Sequence, residues 1–193
     1  MRRILLDPVV RMTQFYRQKD DGTQFHGTCG QTALAVCMAA ARGHPTDFEG
    51  VGELMIHLTR AMIAAGLAAP NGAARLTALG AQARAEGCTV MLEWPYQEPL
   101  LAGWRDLLAA HAGAQPIVLQ VARGAALCDA ETGARDDAGL RYHAIAIVGC
   151  QDAGYLAIDS AHPEVTRRFQ LYPEATLADA RPCGLLMLAL QRA

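Results

Sequence analysis

The sequence predicts an α+β protein, helical in its first half and strand-rich in its second. Apolar residues recur at helical spacing from Cys29 to about residue 86, whereas short apolar runs bounded by turn residues dominate from Ile117 onward. Two of those runs, 143–149 and 154–159, are separated by a short polar turn, which predicts an antiparallel hairpin. Helices first and an antiparallel sheet later place the expected site in the cleft between the two parts. With 193 residues and 52% hydrophobic composition, the chain is expected to form one domain over 1–193 with a sizeable core.

Taken in order, the chain opens with an expected extended segment at 8–16 and a polar loop to Thr28. A helix then runs from Cys29 to Arg42, because Ala33, Leu34, Val36, Cys37, Ala40 and Ala41 share its apolar side. Thr28 is a suitable N-cap and Gly43 a suitable stop. Two further helices are expected at 48–65 and 74–86, divided by the Pro70-Asn71-Gly72 turn, with Met55, Leu58, Met62 and Ile63 at core spacing. A strand at Thr89–Trp94, a helix at Leu100–His111 and a strand at Ile117–Ala122 follow. The remainder reads as strands at 141–150, 154–159, 165–171 and 183–190, with a short helix at 174–180.

The segment Gly27-Thr28-Cys29-Gly30-Gln31-Thr32 puts a cysteine at the first position of a helix. First-turn amides and the positive end of the helix dipole favour thiolate over thiol there, and a nearby imidazolium lowers the pKa further from its free value of about 8.5. The flanking Gly27 and Gly30 would let a substrate backbone approach the sulfur. Cys29 is therefore the candidate nucleophile.

A cysteine nucleophile needs a base, and the base needs an orienting acceptor. His143 opens the strand Tyr142-His143-Ala144-Ile145-Ala146-Ile147-Val148-Gly149, and Asp159 closes the strand Gly154-Tyr155-Leu156-Ala157-Ile158-Asp159. A hairpin between them brings both residues to one end, so that Asp159 accepts from one ring nitrogen while the other faces Cys29.

Composition removes the common alternatives. The single serine, Ser160, has no G-x-S-x-G elbow around it, and the single lysine, Lys19, lies in Arg17-Gln18-Lys19-Asp20, where no phosphate-binding loop can form. No G-x-G-x-x-G fingerprint is present, and neither C-x-x-C nor paired His/Cys spacing suggests a metal, so neither cofactor nor metal is expected.

The order of a glutamine, a cysteine opening a helix, a distant histidine on a strand and an aspartate one hairpin later resembles the papain-like cysteine peptidases. More narrowly, Phe15-Tyr16-Arg17-Gln18-Lys19-Asp20 followed by Thr28-Cys29-Gly30-Gln31-Thr32-Ala33-Leu34-Ala35 resembles the bacterial branch related to bacteriocin-processing, double-glycine leader peptidases. The resemblance covers most of 12–160. It implies a papain-like fold with Cys29 as nucleophile, His143 as general base and acid, Asp159 as orienter and a glutamine side chain at the oxyanion. Gln18, eleven residues before Cys29, is preferred for that last role, with Gln24, five residues before it, as the alternative. The expected reaction is amide hydrolysis through a thioester on a protein or peptide substrate. Deamidation, acyl transfer, peptidoglycan amidase activity and an inactive binding module stay open, as do processing and toxin roles.

Cys37, Cys88, Cys150 and Cys183 read as buried thiols, Cys128 as a loop thiol, and a reducing compartment is expected. His26 lies near Cys29 and has a possible contact role; His44, His57, His111 and His162 read as boundary or surface residues. The net charge of −2, with dispersed basic residues, gives no case for nucleic acid. The apolar run Ile4-Leu5-Leu6 is too short for a secretory signal and no segment is long enough to span a bilayer, so the expected location is cytoplasmic, or outside after export without a classical signal. Residues 123–140 carry Asp129, Glu131, Asp136 and Asp137 with Gly124, Gly133 and Gly139. They read as a solvated loop or as an acidic rim of the cleft favouring basic or extended polar substrates.

Overall fold

The computed structural model describes residues 3–4, 28–43, 48–96, 102–136, 141–162 and 169–191. Its helices are α1 (Cys29–Arg42), α2 (Phe48–Ala64), α3 (Leu76–Ala85), α4 (Trp104–His111) and α5 (Glu174–Ala180). Its strands are β1 (Arg3–Ile4), β2 (Val90–Trp94), β3 (Ile117–Val121), β4 (His143–Gln151), β5 (Gly154–Ile158), β6 (Gln170–Tyr172) and β7 (Pro182–Leu188). They form one sheet in the order β2-β7-β3-β4-β5-β6, with β1 added beside β4, and every pairing is antiparallel. The α+β class expected from the sequence is therefore the observed one.

Helix α1 is the centre of the arrangement. Every residue from Gly30 to Ala41 is buried, as a helix apolar all round requires, because α2, α3 and the sheet surround it. Gly43 ends it in the left-handed conformation at φ 65°, its N–H donating to Ala40 O. The core on this side joins Leu34, Met38, Met55, Leu58 and Met62 to Val118, Ala146 and Leu186 of the sheet.

The helices do not all lie on one side. Trp104 and Leu108 of α4 and Leu177 and Ala180 of α5 cover the opposite face, packing on Ile117, Leu119, Ile145, Ile147 and Leu185. The central strands are thus buried on both faces, which explains why Ala144–Val148 is a continuous apolar run without alternation.

Element boundaries differ from the sequence reading in a few places. Helix α4 starts at Trp104, because Gly103 adopts φ 73° and leaves 102–103 as a turn. The strand expected at 165–171 appears as Gln170–Tyr172, with 163–168 outside the described residues, as is the extended segment expected at 8–16. Strand β1 was not expected. Among the described residues no helix is long and apolar enough to cross a membrane.

Candidate active site

Cys29 is the first residue of α1, His143 the first of β4, and Asp159 directly follows β5. The structure brings the three together at one end of the sheet, where the α1 side of the core meets the opposite side. Cys29 packs against the α1 side, while Tyr172, which donates to Asp159, belongs to the other.

His143 Nε2 lies 2.6 Å from Asp159 Oδ1, and both side chains are fully buried. A carboxylate can only accept, so the proton belongs to Nε2. Asp159 Oδ1 also accepts from Ala161 N at 2.9 Å, and Oδ2 accepts from the Tyr172 hydroxyl at 2.7 Å. Its backbone N–H donates to Gln170 Oε1 at 3.0 Å. Burial alone would raise the Asp159 pKa, but the His143 charge and these hydrogen bonds outweigh it and hold the carboxyl below its ordinary value.

The remaining ring nitrogen, Nδ1, is buried and makes no hydrogen bond of ordinary geometry. Cys29 nevertheless lies close enough to act on the ring. Burial works to raise the thiol pKa, but the His143 hydrogen-bonding interaction and charge, with the Ala144 and Gly30 backbone groups, bring it below the ordinary thiol value. Conversely, burial works to lower the His143 pKa, and Asp159 and then Cys29 lift it well above the ordinary imidazole value. The thiol and imidazole are therefore electrostatically coupled without a well-formed hydrogen bond, as is common in an unliganded cysteine–histidine pair. Both shifts act in favour of thiolate beside imidazolium.

Two local expectations are corrected. Thr28 does not cap α1 with its side chain, because at φ −84° and ψ 17° it lacks the extended backbone a capping hydroxyl needs. Instead its carbonyl accepts from Thr32 N and Thr32 Oγ1. Gly30 does not open space for a substrate: a Cβ there would meet Leu79 Cδ1 at 3.0 Å, so the missing side chain admits α3.

The acidic loop is only partly solvated: Glu131 is exposed, and Asp137 and Gly139 lie outside the described residues. Asp129 and Asp136 are buried. Asp129 Oδ1 accepts from Glu131 N, Thr132 N and Thr132 Oγ1, and its Oδ2 accepts from Leu171 N at 2.7 Å, which fastens the loop to β6. Asp136 stands beside the pair: its carboxylate, His143 and Asp159 have ligand-type atoms within 4.8 Å of one another. A cation on His143 Nε2 would have to displace the proton that joins it to Asp159. His162 is buried, not superficial, with Nε2 facing Ala134 O at 3.4 Å.

Cys37, Cys88 and Cys183 are buried thiols as expected, with burial pushing up the pKa of Cys37 and Cys88. His57 is exposed and pairs with Glu86 at 2.9 Å. Gln18, Gln24, His26 and His44 lie outside the described residues. Sequence reasoning missed Tyr172 and Gln170, which alternate along β6 and so face Asp159 together. The period of a strand could have paired them with each other, but nothing local pairs them with Asp159.

Neither a family model nor a curated protein sequence matches this chain. Among solved structures, the fold matches that of a Bacillus anthracis protein described as a candidate C39-like peptidase, with a TM-score of 0.58 at 11% identity, over 100% of this chain and 99% of that one. This chain has the C39-like, papain-type fold. The Pseudomonas avirulence protein AvrPphB aligns at a TM-score of 0.39 and 13% identity over 83% of this chain and 89% of its own, which is too low to support any argument. In this C39-like fold an open groove of about 600 Å³ adjoins the site, with Ala74, Leu76, Pro95, Tyr96, Gln120 and Tyr142 among its walls. Tyr142 directly precedes His143, and Gln120 pairs with Ala144 across the sheet, so the groove borders the start of β4.

Proposed function

We propose that this protein is a cysteine peptidase that hydrolyses an amide bond of a polypeptide through a thioester at Cys29. One observation carries the reading: a cysteine at a helix start, its thiol pKa lowered by a buried imidazole whose Nε2 is bound to a buried carboxylate. Packing alone gives no reason to bury three ionisable groups in that order.

In the proposed reaction the Cys29 thiolate attacks the carbonyl carbon of the scissile amide. The carbonyl oxygen becomes an oxyanion, received by backbone amides and by the side chain of Gln18, with Gln24 as the alternative. As the C–N bond breaks, His143 gives its Nδ1 proton to the departing nitrogen, and the acyl group remains on sulfur. Neutral His143 then takes a proton from water, whose oxygen adds to the thioester, and the carboxylic acid leaves as the thiolate and imidazolium are restored. Asp159 orients the ring and stabilises its positive form without taking the proton. The apolar groove walls and Tyr142 suit an extended chain laid beside the start of β4.

The test is a comparison of new peptide termini in cells expressing the wild type and Cys29→Ala. New termini confined to the wild type are expected. Equal sets of termini, with deamidated or acyl-transferred products confined to the wild type, would overturn hydrolysis in favour of those reactions.

A further inference from the structure

The buried surroundings of Asp159 hold more than a hydrogen-bonding partner for His143. Strand β6 sends two side chains to the same residue, Gln170 to the backbone N–H and Tyr172 to the carboxylate. Between them, Leu171 N donates to Asp129 Oδ2 and Leu171 O accepts from Ala130 N, so the Asp129 turn holds the outer edge of β6. Tyr172 is completely buried. A fully buried phenol fixed at 2.7 Å from a catalytic-site carboxylate is placed to decide where that carboxylate's shared proton resides.

We propose that Tyr172 is a positioning residue of this site: its hydroxyl, bound to Asp159 Oδ2, keeps Asp159 a carboxylate, so that the shared proton stays on His143 Nε2 and Nδ1 is presented to Cys29. The proposal rests on the peptidase reading above for the roles of Cys29 and His143. Its physical basis is the choice between two arrangements of one proton, carboxylate with imidazolium or carboxylic acid with neutral imidazole. In a dry site the neutral arrangement competes strongly. A donor on Oδ2 stabilises only the charged carboxylate and so favours the first arrangement.

The donor is dependable because the phenol cannot lose its own proton. Burial raises the Tyr172 pKa, and the charges of Asp159, Asp136 and Asp129 raise it well above the ordinary tyrosine value. Among the described residues, the titratable groups that act on Asp159 and Tyr172 are His143 from β4, with Cys29 from α1 behind it, and Asp136 and Asp129 from the loop after Leu127. Among them Tyr172 is the neutral donor bound directly to Asp159.

The sign of the effect follows from charge. The phenol stabilises the state in which His143 has lost its Nδ1 proton more than the imidazolium state, because the carboxylate is then uncompensated. Removing the hydroxyl should make the pair hold its proton more tightly. NMR titration of the His143 ring carbon Cε1 reads this without any substrate. Tyr172→Phe is expected to move the upper-pH step of His143 upward by roughly half to one pH unit. Site-specific replacement of Tyr172 by 3-fluorotyrosine, a stronger donor of nearly equal size, should move it downward. In an Asp159→Asn background, Tyr172→Phe should move it little, because the effect passes through the carboxylate. A merely structural Tyr172 would lower the melting temperature and leave the step in place. An unchanged or lowered step in Tyr172→Phe, or no movement with the size-conserving fluorotyrosine if Tyr172→Phe fails to fold, overturns the proposal. A wild-type His143 that titrates near 6.5 would instead overturn the His143–Asp159 pairing on which both readings stand.

Discussion

Asp159 Oδ1 reaches His143 Nε2 at 2.6 Å because β4 carries one residue more than β5 between the hairpin turn and the site. From the turn outward, Gln151, Cys150 and Gly149 pair with Gly154, Tyr155 and Leu156, but Ile147 and Ala146 pair with Ala157 and Ile158. Val148 is the extra residue. Continuing the shifted register sets Asp159 opposite Ile145, on the same face as His143 and diagonal to it, within reach of a long side chain. Without the bulge Asp159 would stand opposite Ala146, whose side chain lies in the core beneath α1, and would point away from His143.

Cys29 should react with iodoacetamide at pH 6, where a free thiol is almost wholly protonated, at least on the order of ten times faster than free cysteine. The Cys29 pKa is lowered and that of His143 raised, and both shifts favour the coexistence of thiolate and imidazolium. Reactivity therefore falls as pH drops through the depressed thiol pKa and changes again as the imidazolium is lost at high pH. Cys37, whose thiol is pushed upward by burial, should stay unlabelled in the folded protein. His143→Ala should remove the advantage at pH 6; mass-spectrometric labelling rates that are equal for all thiols would exclude Cys29 as nucleophile.

Asp159→Ala should reduce kcat by on the order of a hundredfold and also destabilise the fold. The deletion strands the donors His143 Nε2, Tyr172 Oη and Ala161 N in a dry site, at a cost of about 3 kcal/mol or more. Asp159→Asn should retain more activity, since its oxygen can accept from His143 while its amide donates to the Tyr172 oxygen. Turnover on a defined peptide and a urea midpoint, measured together, check both effects. Full turnover in Asp159→Ala would leave a Cys29–His143 dyad.

Gln18→Ala should lower kcat by about a hundred- to a thousandfold with little loss of stability, while Gln24→Ala should be mild. The reverse ranking in steady-state kinetics would move the oxyanion role to Gln24. Two mild effects would mean that backbone amides suffice.

The sequence by itself determined the elements that carry the chemistry. Helical spacing and Gly43 fix α1 from Cys29 to Arg42 as expected, and the short turn between β4 and β5 fixes a hairpin with His143 and Asp159 at one end. These are local properties, set by the period of apolar residues and by turn chemistry within a few positions. What surrounds Asp159 is not local. Tyr172, Gln170, Asp129 and Asp136 reach the site from separate segments, and their burial changes an apparently solvated acidic loop into part of the site's support. The two-sided covering of the sheet by α1 and by α4 and α5 likewise depends on which faces meet across distant elements. Only the tertiary structure decided that Asp159 shares a face with His143, because side chains alternate along a strand and the one-residue bulge at Val148 exchanges the faces.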